Sequence, residues 1–198
     1  NVPNTPNLLR AIAAEGHEIG SHSDLHKPMA VRDPKTGKLV PAQSKEEYIE
    51  DYAAAFRKLR DVVGDVTVNG RPALTRFFRP PTLAVSKTGF EALFATGYEY
   101  IICGSGNTHD YEAKSVGQLV KTFKDVLYTK DGEVKKGTIL IMHMGDSVPY
   151  TAMALDILLT ANENKEDSDP SKFKVGRLSD YLKDGYSQIN RKKSLRLK

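Results

Sequence analysis

The chain has 198 residues, 39% hydrophobic and 27% charged, with a net charge of +4; these are the proportions of one soluble globular domain able to bury a core. No apolar run approaches the ~20 residues of a membrane helix, there is no signal-like N-terminus, and the lone Cys103 excludes an internal disulfide. Much of the positive excess lies in the C-terminal RKKSLRLK, which no aromatic residue interrupts; that is the pattern of a solvated end, not of a nucleic-acid site.

In chain order, Thr5-Pro6 opens a helix that Gly16 stops, with Leu8, Leu9 and Ile12 at helical spacing. His17 to His22 reads as a short strand, and residues 32–42 as a turn-rich excursion. Ser44 and Glu47 form a capping box for a helix running to Val63, whose face carries Tyr48, Tyr52, Ala55, Phe56, Leu59 and Val63. Asn69-Gly70 is a hairpin-type turn. A strand over Arg76 to Arg79 is ended by Pro80-Pro81. A helix over Ser86 to Ala95 stops at Gly97, and a strand follows over Tyr98 to Ile102. Ser115 and Gln118 are a second capping box, opening a helix to Leu127. Thr138 to Met142 is an apolar strand, a helix spans residues 151–162, Phe173 to Val175 is a fifth strand, and a last helix lies near Ser179 to Lys183.

Alternating strands and helices predict an α/β domain with a parallel sheet, open or closed into a barrel. In such folds, sites are built at the carboxyl ends of strands. The polar residues collect there: His22 and His26 after the first strand, Arg79 after the second, Asn107 to Tyr111 after the third, His143 after the fourth. Two imidazoles four residues apart can converge on one zinc-like ion. Taken singly, each residue has a plainer reading. His22 and His26 could be surface or capping histidines, Arg79 a salt-bridge partner, and Asp110 a turn residue. His17 and His109 read as bystanders, and Asp146 as a loop residue.

Together and in this order, the segments resemble the polysaccharide deacetylase family of carbohydrate esterases. His22-Ser23-Asp24-Leu25-His26 is similar to its His-Ser/Thr-x-x-His metal motif, preceded by Gly16-His17-Glu18-Ile19-Gly20. Phe78-Arg79-Pro80-Pro81 resembles its Arg-x-Pro motif. Asn107-Thr108-His109-Asp110-Tyr111 resembles Asp-x-x-Asp-Trp with two replacements, and Ile141-Met142-His143 resembles Leu-x-His. The resemblance implies a distorted (β/α) barrel that removes N-acetyl groups from amino sugars with a divalent metal, usually zinc. It makes His22 and His26 metal ligands and His143 the general acid. Asp110 then holds His143 in its tautomer and stabilises its charged form, and Arg79 orients the base. It places Pro80, Pro81, Thr82, Tyr111 and Ile141 around the substrate, with the Thr82 amide facing the oxyanion and Tyr111 and Ile141 walling the acetyl methyl.

One departure stands out. The family's Asp-Asp motif, source of the base and the third metal ligand, is absent; no adjacent Asp-Asp pair occurs in the chain. The expectation is therefore a barrel lacking its first strands, the C-terminal part of a longer domain, completed by a preceding segment or by another copy. Alone it should bind metal weakly and turn over poorly. The alternatives are a non-catalytic carbohydrate-binding or scaffold domain of this shape and another metal-dependent amidohydrolase acting on a small N-acyl substrate. The implied partner is a carbohydrate polymer or oligomer (peptidoglycan, chitin-like or exopolysaccharide), with no nucleic acid and no membrane span. The resemblance implies a location outside the cell or on the surface of a bacterium.

Overall fold

The structure, a computed structural model, describes residues 4–182. The C-terminal RKKSLRLK and the end of the last expected helix lie outside the described residues. The chain divides into two units, one formed by Asn1–Cys103 with Gly176–Lys198 and the other by Gly104–Val175.

The first unit opens with α1 (Thr5–Ala14), followed by β1 (Ile19–Ser21), β2 (Ala30–Arg32) and β3 (Leu39–Pro41). Next come α2 (Lys45–Val63), β4 (Thr67–Val68), β5 (Arg71–Pro72), β6 (Leu74–Phe78), α3 (Lys87–Thr96) and β7 (Tyr100–Ile101). A parallel sheet runs β1-β6-β7, and two antiparallel hairpins, β2-β3 and β4-β5, lie beside it in sequence. The excursion at 32–42 is thus the turn and second strand of a hairpin, set by Asp33. Its carboxylate accepts the amides of Lys35 and Thr36 at 2.8 Å each, an Asx-type turn.

The core of this unit is the apolar stripe of α2 laid on the sheet. Tyr48, Tyr52 and Val63 are fully buried, packed with Phe78, Leu93 and Tyr98. The capping box forms as expected: the Ser44 hydroxyl accepts the Glu47 amide while the Glu47 carboxylate accepts the Ser44 amide. Tyr48 serves two purposes, donating its hydroxyl to the Met29 carbonyl at 2.7 Å and accepting the Ala42 amide at 2.9 Å. It thereby pins the chain on either side of the β2-β3 hairpin. β6 lies between β1 and β7 and is buried throughout, including Arg76, whose guanidinium donates to the Gly97 carbonyl at 3.0 Å.

The second unit contains β8 (Gly106–Asn107), α4 (Val116–Leu127), β9 (Leu140–Ile141) and α5 (Thr151–Glu163), with β8 and β9 parallel. Leu119, Phe123, Ala154 and Leu158 form its core. At the start of α4, the Ser115 hydroxyl accepts the Gln118 amide, but the Gln118 side chain turns to the Lys114 amide at 2.8 Å instead of closing the box. Phe173 to Val175 is not a strand. The Asn162 side chain takes the place of a neighbouring strand, accepting from the Phe173 amide and donating to its carbonyl at 2.9 Å each. The fifth parallel strand is β8 instead. Near residue 179 the helix is a short 3-10 turn, Leu178–Tyr181. Among the described residues the parallel strands do not close into a barrel.

Candidate active site

The first cluster stands at the carboxyl ends of β1 and β6. The parallel register places Ser21 opposite Phe78, and the Arg79 amide donates to the Ser21 carbonyl at 2.9 Å. The strands therefore stay paired up to the residues that matter. His22 Nδ1 lies 2.7 Å from the Arg79 carbonyl. A carbonyl can only accept, so Nδ1 carries the proton and Nε2 carries the lone pair. An imidazole held this way is set up as a metal ligand. The His26 ring meets the His22 ring edge-on, with centroids 4.9 Å apart at 77°.

Neutral imidazoles are the commonest protein ligands of a zinc-like cation, and His22 and His26 are the two imidazoles that stand together here. Among the described residues, no set of three or more histidine, cysteine, aspartate or glutamate side chains gathers to hold a metal. Asp24, between the histidines, is turned to α2, where the Lys58 ammonium donates to its carboxylate at 2.7 Å. Pro80 and Pro81 are buried, and they lead into Thr82 and Leu83 at φ 56° and 58°. Two consecutive left-handed residues outside glycine are uncommon, and such strain collects at functional turns.

The second cluster follows β8 and β9. Asp110 is 1% exposed. One carboxylate oxygen lies 2.7 Å from His143 Nδ1; the other accepts the His143 amide at 2.6 Å and the Thr151 hydroxyl at 2.9 Å. Burial alone would push this carboxyl up. The hydrogen bonds from the His143 ring and amide and from Thr151 outweigh it and hold Asp110 below the usual carboxylate range. An ionised Asp110 accepts from Nδ1–H, which makes Nε2 the nitrogen that can exchange a proton. Tyr111 stands edge-on to His143, with centroids 5.4 Å apart, and its hydroxyl lies 3.2 Å from His109 Nδ1. Ile141 is buried; its carbonyl accepts the Thr108 hydroxyl at 2.7 Å, tying β8 to β9.

The structure thus brings His22 together with His26 and the Arg79 backbone, and His143 together with Asp110 and Tyr111. It adds residues the sequence did not announce. Thr151 completes the shell of Asp110. The carboxylate of Asp51 accepts the Asp24 and Leu25 amides at 2.9 and 2.8 Å. A signal for Asp51 was present: it sits three residues after Tyr48, a carboxylate on the buried stripe of α2. Thr151 carried none, since it reads as an ordinary helix start.

This is an α/β fold of the carbohydrate esterase type, with its polar clusters at the strand ends. The Polysaccharide deacetylase family model matches residues 1–101, and the chain belongs to that family. The match includes the first cluster and ends before the second. No curated protein sequence matches the chain. Among solved structures, it is similar to the chitin deacetylase from the fungal pathogen Colletotrichum lindemuthianum, with a TM-score of 0.66 at 18% identity over 96% of this chain and 72% of that one. A family 4 acetyl xylan esterase from Clostridium thermocellum, solved in complex with a cobalt ion, gives a TM-score of 0.58 at 23% identity over 81% of this chain and 64% of that one. A CE4 family pseudoenzyme from Bacillus anthracis gives 0.62 at 18% identity over 90% of this chain and 51% of that one.

Proposed function

We propose that the chain is the C-terminal part of a metal-dependent deacetylase acting on N-acetylated amino sugars in a polysaccharide, with zinc as its metal and a bacterial cell surface as its place of work. The observation that carries this reading is the pairing of His143 with Asp110. A buried carboxylate with three hydrogen bonds, one to an imidazole ring, is the arrangement of a proton donor and its orienter. Binding a sugar needs neither.

In this reading His22 and His26 would hold a divalent cation, which when bound would supply Lewis acidity towards the acetamide carbonyl. The chain's own residues do the rest. Water adds to the acyl carbon and gives its proton to the general base; His143 then delivers a proton from Nε2 to the leaving amine as the C–N bond breaks and acetate departs. Asp110 accepts from Nδ1–H, which orients the ring with Nε2 outward and stabilises the imidazolium that carries the proton to be delivered. The Thr82 amide faces the developing oxyanion, on the turn that Pro80 and Pro81 shape, and Tyr111 and Ile141 wall the acetyl methyl. The Arg79 guanidinium orients a general base. In this reading that base and the third metal ligand are carboxylates from a preceding segment or another copy, since among the described residues no three histidine, cysteine, aspartate or glutamate side chains gather to hold a metal.

The test is acetate release from an N-acetylglucosamine oligomer. The 198-residue chain should stay near background even with added zinc. A longer polypeptide that also carries the carboxylates should turn over, and His143→Ala in it should cost ~10²–10⁴-fold. Full activity of the short chain overturns the division of labour, and an active His143→Ala variant overturns the acid.

A second reading, a non-catalytic sugar-binding domain, draws on the absence of a third metal ligand among the described residues. It requires oligomer binding by the short chain that His143→Ala and chelation leave unchanged.

A further inference from the structure

The loop between the two histidines is held from below by Asp51. This residue is 4% exposed, on the buried face of α2. A single oxygen, Oδ1, accepts two successive amides, Asp24 at 2.9 Å and Leu25 at 2.8 Å. Both amides lie between His22 and His26. Its second oxygen, Oδ2, is buried without a hydrogen-bond partner. Burying a carboxylate with one oxygen unsatisfied is costly, so its place here calls for a reason beyond packing.

The loop supplies that reason. Ser23 and His26 both adopt left-handed backbone, at φ 68° and 55°. Such backbone is strained for a non-glycine residue and persists only where the surroundings over-determine it. Three ties do so. Asp51 takes the central amides, the Ser23 hydroxyl accepts the His26 amide at 2.9 Å, and Lys58, two turns further along α2, holds the Asp24 carboxylate. The exposed Lys58 pair is worth little by itself. The Ser23 bond is local to the loop. Asp51 is the tie that anchors the loop to a rigid, buried element. Its charge also has a use, because both ligands above it are neutral and the ion they would hold is not.

We propose that Asp51 is the positioning residue of the His22–His26 pair: it fixes the backbone between them so that both imidazoles face one cation, and it sets the chain's affinity for divalent metal. This rests on the reading of His22 and His26 as ligands, and the experiment separates the two. Cobalt(II) is titrated into the full 198-residue chain and followed by absorption and calorimetry. The metal-free unfolding midpoint of each variant is measured alongside.

His22→Ala should abolish binding; unchanged binding there would end the ligand reading itself. Asp51→Asn keeps shape and an acceptor oxygen while removing charge. It should weaken cobalt binding about tenfold or more, in the range of outer-shell substitutions, with little change in the metal-free midpoint. Asp51→Ala should weaken it further. If His22→Ala abolishes binding and Asp51→Asn binds like wild type, the inference is overturned. It is also overturned if the affinity falls only in step with metal-free stability. Hydrogen exchange on the unmodified chain gives a check that no folding failure can blur. The Asp24 and Leu25 amides should be protected without metal, and exchange at open-loop rates would contradict the anchoring.

Discussion

Asp110 shows how much one residue can be asked to hold. Three donors meet its carboxylate, one of them the Thr151 hydroxyl. Thr151→Val keeps the shape and removes one donor from a buried acceptor. It should cost ~1–3 kcal/mol, read as a lower denaturant midpoint with an unchanged slope. The same bonds set a pH dependence. Asp110 titrates below the usual range in the folded chain, so the unfolded state takes up its proton first as the solution is acidified. The stability that follows is fully present above the unfolded value of about 3.9 and is lost as pH falls from there through the lower folded value. Unfolding free energies of wild type and Asp110→Asn should therefore differ most at neutral pH and converge below pH ~4. A difference that stays constant down to pH ~2 would mean that Asp110 contributes no ionised hydrogen bonds.

At the scale of the element, α2 does the most. Its cap, stripe and buried carboxylate serve the helix, the sheet and the histidine loop in turn. Ser44→Ala removes the cap oxygen that accepts the Glu47 amide at 3.3 Å and should cost ~1 kcal/mol, measured by thermal or urea unfolding. In the second unit, β8 runs so close to α4 that a Cβ on Gly106 would lie 2.1 Å from Val126 Cγ1. Gly106→Ala should destabilise by ~1–3 kcal/mol through forced repacking. The local consequence is the sharper check. β8 leads into the Asp110 turn, so the His143 amide should exchange faster in that variant than in wild type.

For the whole molecule, the two polar clusters belong to different units of the chain, and the family model matches only the stretch that contains the first. Metal linkage should respect that division. Zinc at 100 times its dissociation constant stabilises a folded state that alone binds it by ~2.7 kcal/mol. The added protection should appear in β1, α2 and the loop of residues 22–26. The amide of His143 should be unaffected, since its partner Asp110 is satisfied without metal. Hydrogen exchange followed by mass spectrometry reads both at once. Protection centred on residues 104–175 would move the metal site away from the histidine pair.

What the sequence determined by itself was local. Capping serines, stop glycines, the α2 stripe and the Asn69-Gly70 turn act within a few residues, and the five α-helices up to Glu163 appeared where these signals put them, whereas the one expected near residue 179 is a short 3-10 turn. The order of polar residues after strands was legible for the same reason, and so was the family. The strands were less so. Thr138 to Met142 pairs only at Leu140–Ile141, and Phe173 gave its place to the Asn162 side chain, because a strand exists only where a partner lies alongside. Gly106–Asn107 became a strand on those terms, having little apolar pattern of its own. The partners that support the site were decided by tertiary structure: the α2 stripe marks Asp51 as buried but not what it holds. Asp51 lies 26 residues from the Leu25 amide it holds, and Thr151 lies 41 from Asp110. A hydrogen bond across that span has no periodicity to betray it; it exists because the fold closes the distance and burial leaves the carboxylate no water to turn to.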